Sequence, residues 1–361
     1  MKRIYHIAET VAFESGGLRP VIENLDNYLN REEDFSSVVL TNAKEDHDAY
    51  IGFAPEKLKS WNYSPALTNY LLSQMNDVDI LHLHGVFMHA HYASAKIGRK
   101  NNIPYVVTPH GMLEPWHLKD KKLKKKIYRA LVLDKLLAKS KILHAITPFE
   151  KENLYKLSGH KTIFEIPNFL HYEKLPHNLA YNPEDEYLLF LSRIHPKKGL
   201  DILLQSMAKI NDKKIKLKIV GTTNPYAEEL KRMAKSLGIE NRVEFVGGVF
   251  GNEKYKLFAN AKVFIAPSYS EAIGMVNLEA AACNTPVITS FETGISPEWN
   301  NNGGIMIHPN TTALTEAMNQ AIAWSDEERR QRGALLSDFV LSNYSWEKQG
   351  HLWNELYNAI H

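Results

Sequence analysis

Cysteine is almost absent from this 361-residue chain, which has one, Cys283. A single thiol cannot close an internal disulfide, so a reducing compartment fits. Cys283 sits in an Ala-rich run and reads as a small buried residue; a nucleophile would need a helper. Long apolar runs are also missing. None reaches the roughly 20 residues that span a bilayer, and the opening MKRIYHIAET turns polar too soon for a secretory leader. The expected location is cytoplasmic, or peripheral at the inner face of a membrane. Net charge is small: 43 Lys+Arg against 41 Asp+Glu give +2, which does not suggest a nucleic-acid binder. The G-x-G-x-x-G dinucleotide fingerprint does not occur.

What is present is the composition of a folded protein, 44% hydrophobic and 23% charged, at a length that fits two domains. Short apolar strands alternate with helical stretches throughout. Ile4–Ala8, Val38–Thr41, Ile80–His84, Tyr105–Thr108, Ile142–Thr147 and Ile163–Ile166 are expected strands of a first parallel sheet. A Pro-, His- and Asn-rich stretch from Asn168 to Glu186 reads as a linker. The pattern then restarts with Tyr187–Leu191, Leu217–Val220, Val243–Val246, Val263–Ala266, a strand after Pro286 and Gly303–Ile307, and an amphipathic helix runs from Trp346 to Ile360. The expected class is α/β, two doubly wound lobes and a closing helix.

Several clusters carry candidate chemistry. After Ile4–Ala8 come Ser15, Gly16 and Gly17, where the backbone could approach a ligand or simply turn. Asp77 and Asp79 form a D-x-D, but at the amino end of a buried strand, away from the ligand edge of a parallel sheet, which favours a structural role. His82 and His84 alternate and share one sheet face; with His89, His91 and His110 they lack the spacing of a metal-ligand set. The segment from Lys119 to Arg129 carries seven basic residues with Leu123 and Ile127 at helical spacing. It reads either as a solvated helix or as a cationic face for anionic lipid or an anionic acceptor.

The densest cluster lies in the second half. Arg193 follows a strand end and Lys198 starts the next helix; together they can neutralise a diphosphate, or be surface charges. Gly274, Met275 and Val276 open a helix whose amides form an anion seat. Glu279, one turn in, can accept from a ribose diol or merely favour a first helical turn. Glu271, in the preceding loop, can hold sugar hydroxyls. Backbone near Gly247, Val249 and Phe250 is expected to read a base.

These residues stand in SRIHPKKGLDILL, FVGGV and PSYSEAIGMVNLEAAACNTPVI, and with VTPHGMLEPW and the E-x7-E of Glu271 and Glu279 the chain resembles the retaining glycosyltransferases of family 4, bacterial group 1 type, with the GT-B fold. The resemblance implies an N-terminal acceptor-binding domain, residues 1–170, closed by residues 346–361, and a donor-binding domain, residues 171–345. It implies a hexosyltransferase moving sugar from a UDP- or GDP-sugar to a saccharide, lipid-linked or free, in surface polysaccharide synthesis, with no metal and no cofactor beyond that co-substrate. Arg193 and Lys198 would bind and stabilise the leaving diphosphate, Gly17 would approach it, Glu279 would hold the ribose, Glu271 the sugar, and His110 would face the sugar from the first lobe. Ala272 and Ile273 replace the Gly and Phe common after the first glutamate. Two other functions fit the architecture: a sugar-nucleotide epimerase and a non-catalytic sugar-nucleotide-binding protein.

Overall fold

The computed structural model describes residues 1–10, 18–43, 50–56, 61–114, 126–176, 179, 181–183 and 186–360. The chain divides into two compact units, Met1–Phe169 with Gly350–His361, and Leu170–Gln349. Gly17 and Lys119–Lys125 lie outside the described residues.

The first unit is built on a seven-stranded parallel sheet: β1 (Lys2–Ala8), β2 (Phe35–Thr41), β3 (Tyr50–Gly52), β4 (Ile80–His84), β5 (Tyr105–Thr108), β6 (Ile142–Ala145) and β7 (Ile163–Glu165). Their order is β3-β2-β1-β4-β5-β6-β7. The order reverses between β1 and β4, and the crevice at the carboxyl ends of that pair is where doubly wound sheets take ligands. Buried parallel strands read as nearly continuous apolar runs, and β4, all five residues buried, is such a run punctuated by His82 and His84.

Register explains why those histidines are tolerated. His6 pairs with His82, and Ala8 with His84; His84 pairs in turn with Thr108. His6, His82, His84 and Thr108 therefore share one sheet face, and His144 joins them through a hydrogen bond from Thr108. The opposite face carries Tyr5, Ile7, Leu81, Leu83, Tyr105 and Val107 into the apolar core. The helix His351–Asn358 covers the histidine side: Trp353 packs 4.6 Å from His144, ring centre to ring centre, and the Tyr357 hydroxyl meets His82 Nδ1 at 2.7 Å. Lys2 Nζ also donates to the Tyr357 carbonyl at 3.0 Å.

The expected single helix from Trp346 to Ile360 is two pieces, Trp346–Gln349 and His351–Asn358, broken at Gly350. The first piece belongs with the second unit, because Leu170 donates to the Tyr344 carbonyl and accepts from the Trp346 amide. Asp79 closes the amino end of the sheet, its carboxylate accepting from the Arg3 amide at 2.7 Å.

The second unit repeats the plan with six parallel strands: β8 (Tyr187–Leu191), β9 (Lys216–Val220), β10 (Val243–Gly247), β11 (Ala261–Ala266), β12 (Val287–Ser290) and β13 (Ile305–Ile307), ordered β10-β9-β8-β11-β12-β13. Its switch point lies between β8 and β11. Helices cover both faces, Leu200–Lys209 and Thr311–Ile322 on one, Met275–Ala282 and Asp326–Tyr344 on the other. Arg329 is 2% exposed and fastens this second layer: its guanidinium donates to the carbonyls of Ala259, Ala261 and Asn284. Among the described residues no helix is long and apolar enough to cross a membrane.

Candidate functional site

At the carboxyl end of β8 the chain enters a tight turn. His195 caps it, its Nδ1 accepting from the Lys197 amide at 3.1 Å. Pro196 presets the first helical position, and Gly199 ends the turn at φ +70°. A Cβ on Gly199 would lie 2.1 Å from the carbonyl oxygen of Pro267, at the end of β11. Glycine is thus what lets the turn press against the neighbouring strand end. The contact is doubled, since the Tyr269 amide donates to the Lys197 carbonyl at 2.8 Å.

That approach brings Lys198 onto Glu271. Lys198 Nζ contacts Glu271 Oε1 directly, with side-chain exposures of 11% and 13%. Burial lowers the proton affinity of the Lys198 ammonium, Glu271 opposes this, and the nearby charges of Lys197 and Arg193 add to the lowering. Arg193 itself is exposed at the rim. Lys198 and Glu271 line a small open pocket with Ser192, Ser268, Gly274 and Asn277. The sequence reading assigned Lys198 and Glu271 separate ligands; here each neutralises the other.

The loop that carries Glu271 is pinned on both sides. The Glu271 amide donates to the Glu292 carbonyl at 2.7 Å, and the Tyr269 hydroxyl to Asp201 at 2.8 Å. Gly274 then caps the helix Met275–Ala282. Of the three amides expected to seat an anion, that of Met275 is already engaged with the Ile273 carbonyl at 3.1 Å. A Cβ on Gly274 would meet Asn277 Nδ2 at 2.4 Å, so the Asn277 side chain would have to shift to admit one. Asn277 is buried, and its Oδ1 is left without a partner among the described residues.

Glu279 lies one turn along and is also ion-paired, to Lys254 Nζ at 2.8 Å. Lys254 comes from the helix Asn252–Asn260, 25 residues away, and nothing in the sequence pattern singled it out. Cys283, at the end of the same helix as Glu279, is buried, and burial pushes its thiol up to about 12, so it is a protonated packing residue. Gly247, at φ +91°, ends β10; Val249 packs against the core and Phe250 is exposed.

In the first unit the expected site residue is His110, just past the carboxyl end of β5, whose backbone is left-handed at φ +52°. The strain this implies, of order 1–3 kcal/mol, is held by Glu150. Its carboxylate accepts from the Gly111 amide at 2.7 Å and the Ile146 amide at 2.9 Å. Burial raises that carboxyl to about 7 against those two hydrogen bonds. Sequence reasoning passed Glu150 over because it looks like an ordinary first-turn acid after the capping Thr147.

The candidate metal-ligand histidines are divided: His89 and His91 sit on the helix His89–Asn101, His82 and His84 lie within β4, and His110 follows the end of β5. Among the described residues, one histidine trio, His6, His82 and His84, places ring nitrogens within 4.8 Å of one another. Hydrogen bonds already occupy five of its six nitrogens.

Comparison with known proteins bears on this geometry. The family described as Glycosyltransferase Family 4 matches residues 15–174, and that described as Glycosyl transferases group 1 matches residues 172–334. The GDP-mannose-dependent alpha-(1-6)-phosphatidylinositol monomannoside mannosyltransferase of Mycolicibacterium smegmatis is 31% identical over 178 residues, 46% of this chain and 46% of that protein. A D-inositol 3-phosphate glycosyltransferase of a Mycobacterium species is 33% identical over 121 residues, 32% of this chain and 27% of that one. The chain thus spans less than half the length of these curated relatives. Among solved structures, sucrose-phosphate synthase from Thermosynechococcus elongatus superposes with a TM-score of 0.81 at 21% identity, covering 99% of this chain and all of that one. Anabaena HepE in complex with UDP and glucose gives 0.80 at 16%, with the same coverage. These likenesses establish the two-lobe, Rossmann-like GT-B fold. Between them the two family matches run from residue 15 to residue 334, and the chain belongs to the family 4, group 1 glycosyltransferases.

Proposed function

We propose that this protein transfers a sugar, with retention and without a metal ion, from a nucleotide-diphospho-sugar to a saccharide acceptor, free or lipid-linked, in surface polysaccharide synthesis. The observation that carries the reading is the Lys198–Glu271 pair, half-enclosed at the switch point of the second unit. A buried pair of this kind is an exchangeable counter-ion. An arriving diphosphate takes Lys198, with Arg193 as a second cation, and the released Glu271 carboxylate turns to accept from sugar hydroxyls. Glu279 makes the same exchange with Lys254 on binding a ribose diol. The second unit is then the donor domain and the first the acceptor domain.

Transfer builds negative charge on the departing diphosphate, and cations fixed before the reaction stabilise it as it forms. Lys198 and Arg193 supply the charge that a metal ion provides in other transferases. The leaving phosphate itself takes the acceptor's proton as the new bond forms on the face it vacates, so no side-chain nucleophile is needed. A trapped sugar ester on Glu271 would contradict this route. The UDP in HepE and the GDP-mannose named for the mycolicibacterial relative support the choice of UDP- or GDP-sugars.

The test is a thermal-shift series with UDP-, GDP- and ADP-sugars followed by transfer assays in excess EDTA. One donor is expected to stabilise the protein, by about 2.7 kcal/mol at a hundredfold excess over Kd, and to be turned over undiminished by chelation. Loss of turnover in EDTA would overturn metal independence. Epimerised donor without acceptor would indicate an epimerase, and stabilisation without turnover a binding protein.

The basic segment from Lys119 to Arg129 is proposed to rest on anionic lipid. Ile127, at its described end, and Leu131, just beyond it, are 53% and 75% exposed, which is how a surface-seated segment presents apolar side chains. Neutralising Lys121, Lys122, Lys124 and Lys125 is expected to cut binding to phosphatidylserine vesicles, by about 1 kcal/mol per charge removed. Unchanged sedimentation with vesicles would return the segment to a solvated role.

A further inference from the structure

The histidine face of the first unit carries two hydrogen-bonded chains, and their ends determine which way the protons point. The first ends at His144, whose Nε2 lies 2.8 Å from the Ile166 carbonyl oxygen. A carbonyl only accepts, so Nε2 bears the proton and Nδ1 is a bare lone pair. The Thr108 hydroxyl, 2.8 Å from that lone pair, must donate to it. Its single proton spent, the hydroxyl accepts from His82 Nε2–H at 2.7 Å. His82 Nδ1 is left to accept from the Tyr357 hydroxyl. Every proton in this chain is placed.

The second chain runs His6 Nδ1 to His84 Nε2 at 2.8 Å, then His84 Nδ1 to His110 Nε2 at 3.0 Å. Burial, reinforced by the neighbouring imidazoles, holds His84 well below its ordinary range and His110 down to about 3; burial alone takes His6 to about 3. Each ring is therefore neutral, with one proton and one lone pair. Either the protons run inward from His110, and His6 ends in a buried N–H with no acceptor, or they run outward, and His6 ends in a buried lone pair. His6 is fully buried and its Nε2 has no partner. Orphaned buried N–H groups are rarer in proteins than under-satisfied acceptors. His110 Nδ1, at the other end, makes no hydrogen bond among the described residues.

We propose that the relay runs outward: His6 Nδ1–H donates to His84 Nε2, and His84 Nδ1–H donates to His110 Nε2, so that His110 presents an N–H, not a lone pair, at its open nitrogen. His6 and His84 are positioning residues that fix the tautomer of His110. Resting on the proposed transferase reading, His110 donates to an oxygen of the donor sugar and does not serve as the base that deprotonates the acceptor. The proton must then leave by another path, which agrees with the phosphate taking it.

The experiment is two-bond 15N–1H correlation on protein labelled at its histidine ring nitrogens, with the His110 signals assigned by their loss in His110→Asn. In the unsubstituted protein His110 is expected to show a pyrrole-type Nδ1 and a pyridine-type Nε2. The opposite pattern would overturn the relay's direction. His6→Asp places an acceptor where His6 donates. Read at pH 9, with the carboxyl ionised, it is expected to reverse both links and move the His110 proton to Nε2. An unmoved His110 tautomer in a variant whose other histidine signals are intact would overturn the coupling. The same variant is expected to lower kcat/KM for the sugar nucleotide about tenfold, the loss of one hydrogen bond. The tautomer is read without substrate, so absence of any transfer by the unsubstituted protein would count against the transferase reading and leave the relay standing.

Discussion

Lys198→Ala is expected to lower kcat for sugar transfer by about a hundred- to a thousandfold, the usual consequence of removing one preorganised group that stabilises developing negative charge. Two effects combine. The variant loses the cation proposed to face the leaving diphosphate. It also strands Glu271, whose carboxylate keeps only 13% of its side-chain exposure and has Lys198 as its partner; breaking such a pair from one side leaves an uncompensated charge. The loss should fall on the donor. In initial-rate measurements with both substrates varied, KM for the acceptor is expected to stay within about twofold, a small fraction of the 1.4 kcal/mol that separates each decade of affinity. Equal losses on both substrates, or a fall in kcat of less than tenfold, would remove Lys198 from the diphosphate. Lys198→Arg is not expected to rescue, because a planar fork cannot replace a compact ammonium in a turn this close to β11.

Gly199→Ala is expected to be nearly as damaging although the residue carries no functional group. The left-handed backbone at φ +70° costs a residue with a Cβ about 1–2 kcal/mol. The added methyl would also stand 2.1 Å from the Pro267 oxygen, and backbone cannot yield as a long side chain does. The turn must move away from β11 and carry Lys198 off Glu271. The expected result is a loss of more than about 2 kcal/mol in chemical denaturation, with donor-dependent rates falling by about a hundredfold, as for misplacement of a positioned group by an ångström. A variant with unchanged stability and full donor affinity would mean that the turn does not need its contact with the strand end.

Much of this architecture was legible because buried parallel strands are apolar runs stopped by glycine or a turn residue. Ile80–His84 before Gly85 and Lys216–Val220 before Gly221 are of this kind, and their limits agree with the sequence reading to within a residue. β3, three residues reading YIG, is too short to show a period. The helix Asp326–Tyr344 was not recognised, because Arg329, Gly333 and Ser337 face inward and break its apolar stripe. At the candidate site, Arg193, Lys198 and Glu271 were legible from their places after strand ends, and Glu279 from its place in the first turns of the helix that follows. Their pairings were not. Lys198 and Glu271 are 73 residues apart, and only the fold of β8 against β11 makes them neighbours. The shared face of His82 and His84 follows from alternation alone; the arrival of His6, His144 and Tyr357 depends on register and on a distant helix.

That distant helix has a consequence for how the protein is made. Gly350–His361 belongs to the first unit, yet the ribosome delivers it only after the whole second unit, roughly ten to forty seconds later at ordinary rates of synthesis. Throughout that interval the sheet from Lys2 to Glu165 lacks its cover, and His82 waits without the hydroxyl that fixes its proton. The first half of the chain is thus held incomplete until the whole second unit has been made, and a nascent chain stalled inside the second unit would expose an open, imidazole-lined sheet for quality control to find.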